Sequence, residues 1–140
     1  MAENQNPHRL LRALEVQIGT GNSIRFYQTK NKKSRDFNII KFGIAPPKQI
    51  LQKQIDKRVD QMIEAGLVAE VRSLIPYRAY TPLQTVGYTE IFDYLDNKVS
   101  LETAVTNIKT HTRQYAKRQL TWFRKDPEIQ WFEPGDKLPV

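Results

Sequence analysis

The 140 residues contain no cysteine, which excludes a disulfide framework and any thiolate metal site. Only two histidines occur, His8 and His111, too far apart in sequence to read as a metal pair. No apolar run reaches bilayer-spanning length, and the start lacks the charged-then-apolar pattern of a signal peptide. The cytoplasm is therefore the expected compartment, with no membrane partner. Missing too are a G-x-x-x-x-G-K-[ST] phosphate-cradling loop, any Ser/His/Asp or Cys/His set, and a carboxylate pair in an evidently apolar setting. There is no internal repeat. Acidic side chains are the scarcer sign, 15 against 22 basic ones, giving a net charge of +7 and a pI near 9.7. That balance points to a polyanionic partner, either nucleic acid or an acidic membrane surface.

The cations concentrate in Thr112-Arg113-Gln114-Tyr115-Ala116-Lys117-Arg118-Gln119-Leu120-Thr121-Trp122-Phe123-Arg124. This stretch reads as part of one long helix capped by Ser100, with Glu102 in its first turn. Arg113, Lys117, Thr121 and Arg124 share a face at spacings of four, four and three. Val105, Ile108, Thr112, Tyr115, Gln119 and Trp122 form a second stripe, expected to rest on a core. A helix with one packed face and one cationic face can grip a phosphate backbone. A solvated charged face fits the same pattern.

Ahead of it, Asn6 suits a cap and Pro7 a first helical position, and Leu10, Leu11, Leu14 and Ile18 repeat helically until Gly19 and Gly21. Ile24 to Asp36 reads as an exposed basic connection. Phe37 to Ile44 is β-branched and aromatic and predicts a strand ended by Pro46-Pro47. Helices are expected over Lys48–Ala65, Leu67–Ile75 and Thr89–Leu95, with a break from Pro76 to Pro82. Ile129-Gln130-Trp131-Phe132 is a short candidate strand. Two strands so far apart cannot form a self-sufficient sheet, so either the sheet is minimal or further strands lie outside these residues.

Three places invite chemistry. Arg9 and Arg12 are adjacent on the first helix near its electropositive start, where an anion is favoured; solvated arginines, with Glu15 as a partner, are the alternative. Arg58 lies beside the apolar stripe of its helix and can fork onto a phosphate or diphosphate; against this stands a surface role in which neighbouring Asp60 pairs locally. In Gln84-Thr85-Val86-Gly87-Tyr88-Thr89, Gly87 permits close backbone approach and Tyr88 can stack on a base or simply pack.

Together these segments resemble the tRNA dimethylallyltransferase (tRNA isopentenyltransferase) family. The resemblance rests on Asn6-Pro7-His8-Arg9-Leu10-Leu11-Arg12-Ala13-Leu14-Glu15-Val16 followed by Thr20-Gly21. It continues through Asp56-x-Arg58-Val59-x-x-Met62-x-x-x-Gly66-Leu67-x-x-Glu70-Val71 and Val86-Gly87-Tyr88-x-Glu90-Ile91-x-x-Tyr94-Leu95. It ends on Thr112-Arg113-x-Tyr115-Ala116-Lys117-Arg118-Gln119-x-Thr121-Trp122-Phe123. The resemblance implies transfer of a dimethylallyl group from dimethylallyl diphosphate, with magnesium, to N6 of the adenosine 3′ of the tRNA anticodon. Flipping that base out of its stack would expose the amino group.

By position, His8, Arg9, Leu10, Leu11 and Arg12, the run Gln84 to Thr89, Arg113, and the run Lys117, Arg118, Gln119, Leu120, Thr121, Trp122, Phe123, Arg124 would contact tRNA. Arg58 would contact the diphosphate. The implied fold is α/β, a mostly helical part of a P-loop nucleoside triphosphate hydrolase-like core with one or two strands whose sheet partners lie upstream. Residues 1–36 would be the end of a helical insertion and a basic connection, and residues 37–140 the return to the core. The phosphate-binding loop and the aspartate base of the family match nothing here. The sequence therefore reads as a C-terminal portion, without its own catalytic residues or most magnesium ligands, inactive alone and monomeric within the full-length enzyme. A free-standing RNA-binding module and a helical protein scaffold remain the competing readings.

Overall fold

The computed structural model describes residues 6–28 and 36–139, which divide into a unit up to Ile39 and a unit from Ile40 onward. The first unit holds α1 (Pro7–Thr20) and the single helical turn α2 (Ile24–Tyr27). The Asn6 side chain accepts from the backbone N–H groups of His8 and Arg9, and Pro7 occupies the first turn, where its missing N–H costs nothing. The helix runs through Gly19 rather than ending there. Gly21, at φ 73°, makes the left-handed cap, and its N–H donates to the Gln17 carbonyl. No residue of α1 is buried, and the stripe of Leu10, Leu11, Leu14 and Ile18 is exposed. The expected connection from Ile24 to Asp36 begins instead with α2, because Ser23 caps it and the Phe26 and Tyr27 rings meet edge-on at 5.3 Å. Residues 29–35 of that connection lie outside the described residues.

The second unit runs β1 (Lys41–Ile44), α3 (Lys48–Glu64), α4 (Leu67–Ser73), 3₁₀ turns at Ile75–Tyr77 and Thr81–Leu83, α5 (Tyr88–Leu95), α6 (Leu101–Phe123) and β2 (Ile129–Phe132). It is an α/β arrangement, mostly helical, with one two-stranded parallel sheet among the described residues. Pairing sets Lys41 opposite Ile129, Phe42 opposite Gln130, Gly43 opposite Trp131 and Ile44 opposite Phe132. The predicted strand from Phe37 is thus shortened to Lys41–Ile44, since β2 supplies only four partners. Lys41 Nζ reaches Asp126 at 2.7 Å and Glu128 at 2.6 Å. Hydrogen bonding to Asp126, then Glu128, raises the ammonium above its ordinary pKa.

Gly43 is required by close approach rather than by a turn. A Cβ there would lie 2.7 Å from Trp131 Cε3 and 2.9 Å from Ile129 Cγ2. Gly43→Ala should therefore push the indole off the strand and cost about 1–3 kcal/mol. The drop in urea midpoint, with altered Trp131 emission in a Trp122→Phe background, measures it. An unchanged midpoint would mean that the ring yields freely.

The core of this unit lies among the helices. Val59 of α3, Leu67 and Val71 of α4, Ile91 and Phe92 of α5, and Ala104 and Ile108 of α6 form one buried cluster. The three-and-four spacing of Ile55, Val59, Met62 and Ile63 turns one face of α3 toward it. Gly66 reverses the chain between α3 and α4 at φ 99°. α5 is only eight residues long, too short to persist alone in water. Burial of Ile91 and Phe92 and its bracing hold it: the Arg78 guanidinium lies 5.2 Å from the Phe92 ring centroid and forks onto Asp96 with two 2.9 Å bonds. Those bonds, then one from Lys98, keep the Asp96 carboxyl well below the usual carboxylate range.

Candidate nucleic-acid interface

Ser100 caps α6 by accepting from the Thr103 N–H at 3.1 Å, and its first two turns bury Ala104 and Ile108. Beyond Ile108 no residue of α6 is buried. The stripe predicted to rest on a core does so through Val105 and Ile108 only; Tyr115 is 57% exposed and Trp122 68% exposed, and Gln119 is exposed too. The cause lies in its two neighbours: α5 has eight residues against the 23 of α6, and α3 meets α6 on another face, that of Lys109 and Arg113.

Two ion pairs join α6 to α3. Arg113 Nη2 holds both oxygens of Asp56, at 2.5 and 2.6 Å, and Lys109 Nζ meets Asp60 at 2.6 Å. Asp60 therefore pairs across to α6 rather than along its own helix. Arg113, predicted as a phosphate contact, is already engaged by a carboxylate. From Thr103 to Lys125 there is no acidic residue, so the other cations of this half have no counter-charge within the run. Lys117 and Arg118 are exposed, and the Arg118 guanidinium lies 5.9 Å from the Tyr115 ring centroid. Trp122 and Phe123 meet edge-on at 5.0 Å with both rings accessible. A cleft of about 450 Å³ between Lys117, Arg118, Trp122 and Lys125 combines cations with a flat ring. Exposed cations interleaved with exposed aromatics suit a phosphate backbone with unstacked bases. Thr121 is less available, because its hydroxyl donates to the Lys117 carbonyl at 2.8 Å. Leu120 is half-buried, facing α3.

The turn Gln84 to Thr89 is tightly held. Gln84 Nε2 donates to the Arg78 carbonyl at 2.6 Å, and Thr89 Oγ1 to the Thr85 carbonyl at 3.1 Å. Gly87 is buried at φ 103°. Tyr88 packs on the helical core and its hydroxyl donates to Glu70 of α4, a bond that with burial raises the phenol pKa. The packing role of Tyr88 is thus the one in place, while Val86 is exposed.

A cleft of about 640 Å³ brings Arg58 together with Gln84, Thr85 and Val86, and Tyr115 lines it as well. Residues 26 or more positions apart in sequence thereby share one wall. Arg58 is exposed and makes no ion pair among the described residues. On α1, Arg12 pairs with Glu15 at 3.0 Å, as the surface alternative expected; His8, Arg9, Leu10 and Leu11 are exposed on that helix.

Sequence reasoning missed Glu90. It is buried, with Oε2 accepting the Gly87 N–H at 2.7 Å and Oε1 2.5 Å from His111 Nδ1 of α6. Its position three residues past Gly87 was the available signal, the second half of a capping box. Among the described residues no group of three or more His, Asp or Glu side chains is placed to hold a metal. The described residues therefore do not form a site for the magnesium that the resemblance implies.

A family model for IPP transferases matches residues 1–126. The chain belongs to that family. Among curated members, the tRNA dimethylallyltransferase of Christiangramia forsetii is 49% identical over 132 residues, covering 94% of this chain and 44% of the relative. The tRNA dimethylallyltransferase 1 of Bacteroides thetaiotaomicron is 45% identical, with 97% and 44% covered. The chain spans less than half the length of these IPP transferases and corresponds to their C-terminal portion. The full-length tRNA isopentenylpyrophosphate transferase of Bacillus halodurans superposes with a TM-score of 0.66 at 38% identity, over 91% of this chain and 39% of that one. A eukaryotic dimethylallyltransferase captured acting on tRNA superposes with a TM-score of 0.71 at 28% identity, over 94% and 37%. No helix among the described residues is long and apolar enough to cross a membrane.

Proposed function

We propose that this chain supplies the tRNA-gripping surface and part of the active-site wall for dimethylallyl transfer to N6 of the adenosine 3′ of the anticodon. One observation carries the reading: the cleft that places Arg58 on the same wall as Gln84, Thr85 and Val86. A flipped adenine entering there would meet the turn, while Arg58 would face the diphosphate of the prenyl donor. In the transfer, the N6 nitrogen attacks the allylic carbon, the carbon–oxygen bond breaks, and negative charge grows on the departing diphosphate. A guanidinium fork stabilises that charge. The N6 proton needs an acceptor, and neither a carboxylate nor a histidine lines this cleft. By this reading the chain alone binds and does not catalyse, and the full-length enzyme works as a cytoplasmic monomer with magnesium held mostly by other residues. The missing proton acceptor equally favours the second reading, a non-catalytic RNA-binding module.

Binding and chemistry are tested separately. The 140-residue protein should bind an unmodified anticodon stem-loop. Contact with some five phosphates gives log K a slope of roughly −3.5 to −4.5 against log salt. Incubation with labelled dimethylallyl diphosphate and the same RNA should leave the RNA unlabelled. A flat salt response would remove the RNA grip, and label transfer would refute the inactive-alone reading.

A further inference from the structure

A second cleft lies on the other side of Ile55, between the start of α3 and the far half of α6. It has a volume of about 440 Å³. Lys48, Lys117 and Arg124 line it, none forms an ion pair among the described residues, and no acidic residue is on its wall. Its floor is apolar, from Leu51, Ile55 and Leu120. Pro46, which follows β1, forms part of its rim, so the cleft opens at the carboxyl end of a parallel strand, where α/β proteins gather ligands.

The start of α3 adds oriented donors. Its cap is Pro47, which offers no side-chain acceptor, and the first helical bond is Leu51 N–H to the Pro47 carbonyl. The N–H groups of Lys48, Gln49 and Ile50 therefore have no partner within the helix, at its electropositive end. Arg113 lines the cleft as well, with its guanidinium already held by Asp56.

We propose that this cleft is a phosphate-binding site in which Lys48, Lys117, Arg124 and the open N–H groups of α3 take a phosphate group whose carrier rests on Leu51, Ile55 and Leu120. Two sources share that chemistry: a free phosphate compound and the backbone of bound RNA. The RNA source rests on the tRNA reading above; the cleft itself does not.

The test uses the ¹⁵N-labelled 140-residue protein at low salt, titrated in parallel with inorganic diphosphate and with an anticodon stem-loop. Amide resonances of Lys48, Gln49 and Ile50 should move with at least one of them. Lys48→Ala and Arg124→Ala should each weaken that ligand about tenfold, whereas Lys53→Ala, exposed on the same helix outside the cleft, should not. All three side chains are exposed, so folding is not at stake. Movement with diphosphate identifies a site for free phosphate compounds, and movement with the hairpin alone identifies the RNA backbone. Diphosphate binding without any hairpin binding would sink the tRNA reading and leave the cleft standing. If the three amides stay still with both ligands, or shifts gather only around Arg58, the proposal is overturned.

Discussion

Replacing Lys117, Arg118 and Arg124 with alanine together should weaken binding of an anticodon stem-loop by roughly two orders of magnitude. Each exposed charge–phosphate contact is worth on the order of 1 kcal/mol, and three of them about 3. The salt slope should become shallower by about two as well, because fewer counterions are released. The three side chains are exposed and contribute nothing to the buried cluster, so the melting temperature should hardly move. Unequal loss across unrelated hairpins would show that these cations read sequence rather than backbone. A triple variant that binds like the parent would eliminate α6 as the gripping element.

Glu90→Ala should be the most destabilising single substitution at the interface. The carboxylate is buried and serves two elements, accepting the Gly87 N–H at the start of α5 and meeting His111 on α6. Alanine strips both contacts and leaves a buried N–H without a partner, a loss of about 3 kcal/mol. That is a large share of the roughly 5–15 kcal/mol by which domains are stable. Glu90→Gln keeps the shape and one acceptor and should lose about 1 kcal/mol. Urea midpoints of the two variants give the comparison, and the Gly87 amide resonance reports whether the turn has moved. A midpoint for Glu90→Ala within about 0.5 kcal/mol of the parent would rule out the strut.

Much of the helical order was legible because it rests on local chemistry. Asn6, Ser100 and Gly66 act as their residue types dictate, and the spacing of Ile55, Val59 and Met62 marks the buried face of α3. What escaped was anything decided by the length of a neighbour. Tyr115 and Trp122 continue the periodicity of Ile108, yet α5 is too short to cover them and α3 meets α6 on the face of Lys109 and Arg113. Phe37 to Ile40 have the composition of a strand, but β2 supplies only four partners. The candidate site divides the same way. Arg58 and the Gln84–Thr89 turn stood out by residue type, and their meeting in one cleft depends on how α3 and α5 each pack on α6. Arg113 looked like a ligand contact because Asp56, its partner, sits 57 positions away. Lys48 carried no signal beyond its charge.

The two strands have a consequence for anyone handling this polypeptide. Running side by side in the same direction, they present Phe42, Ile44 and Trp131 in part to water, and each has a margin with no neighbour among the described residues. Parallel ribbons in proteins are normally sandwiched on both sides, and bare margins recruit further chains. Concentrated solutions of the protein by itself will tend toward self-association through these strands, and a lysine at Ile44 would blunt it.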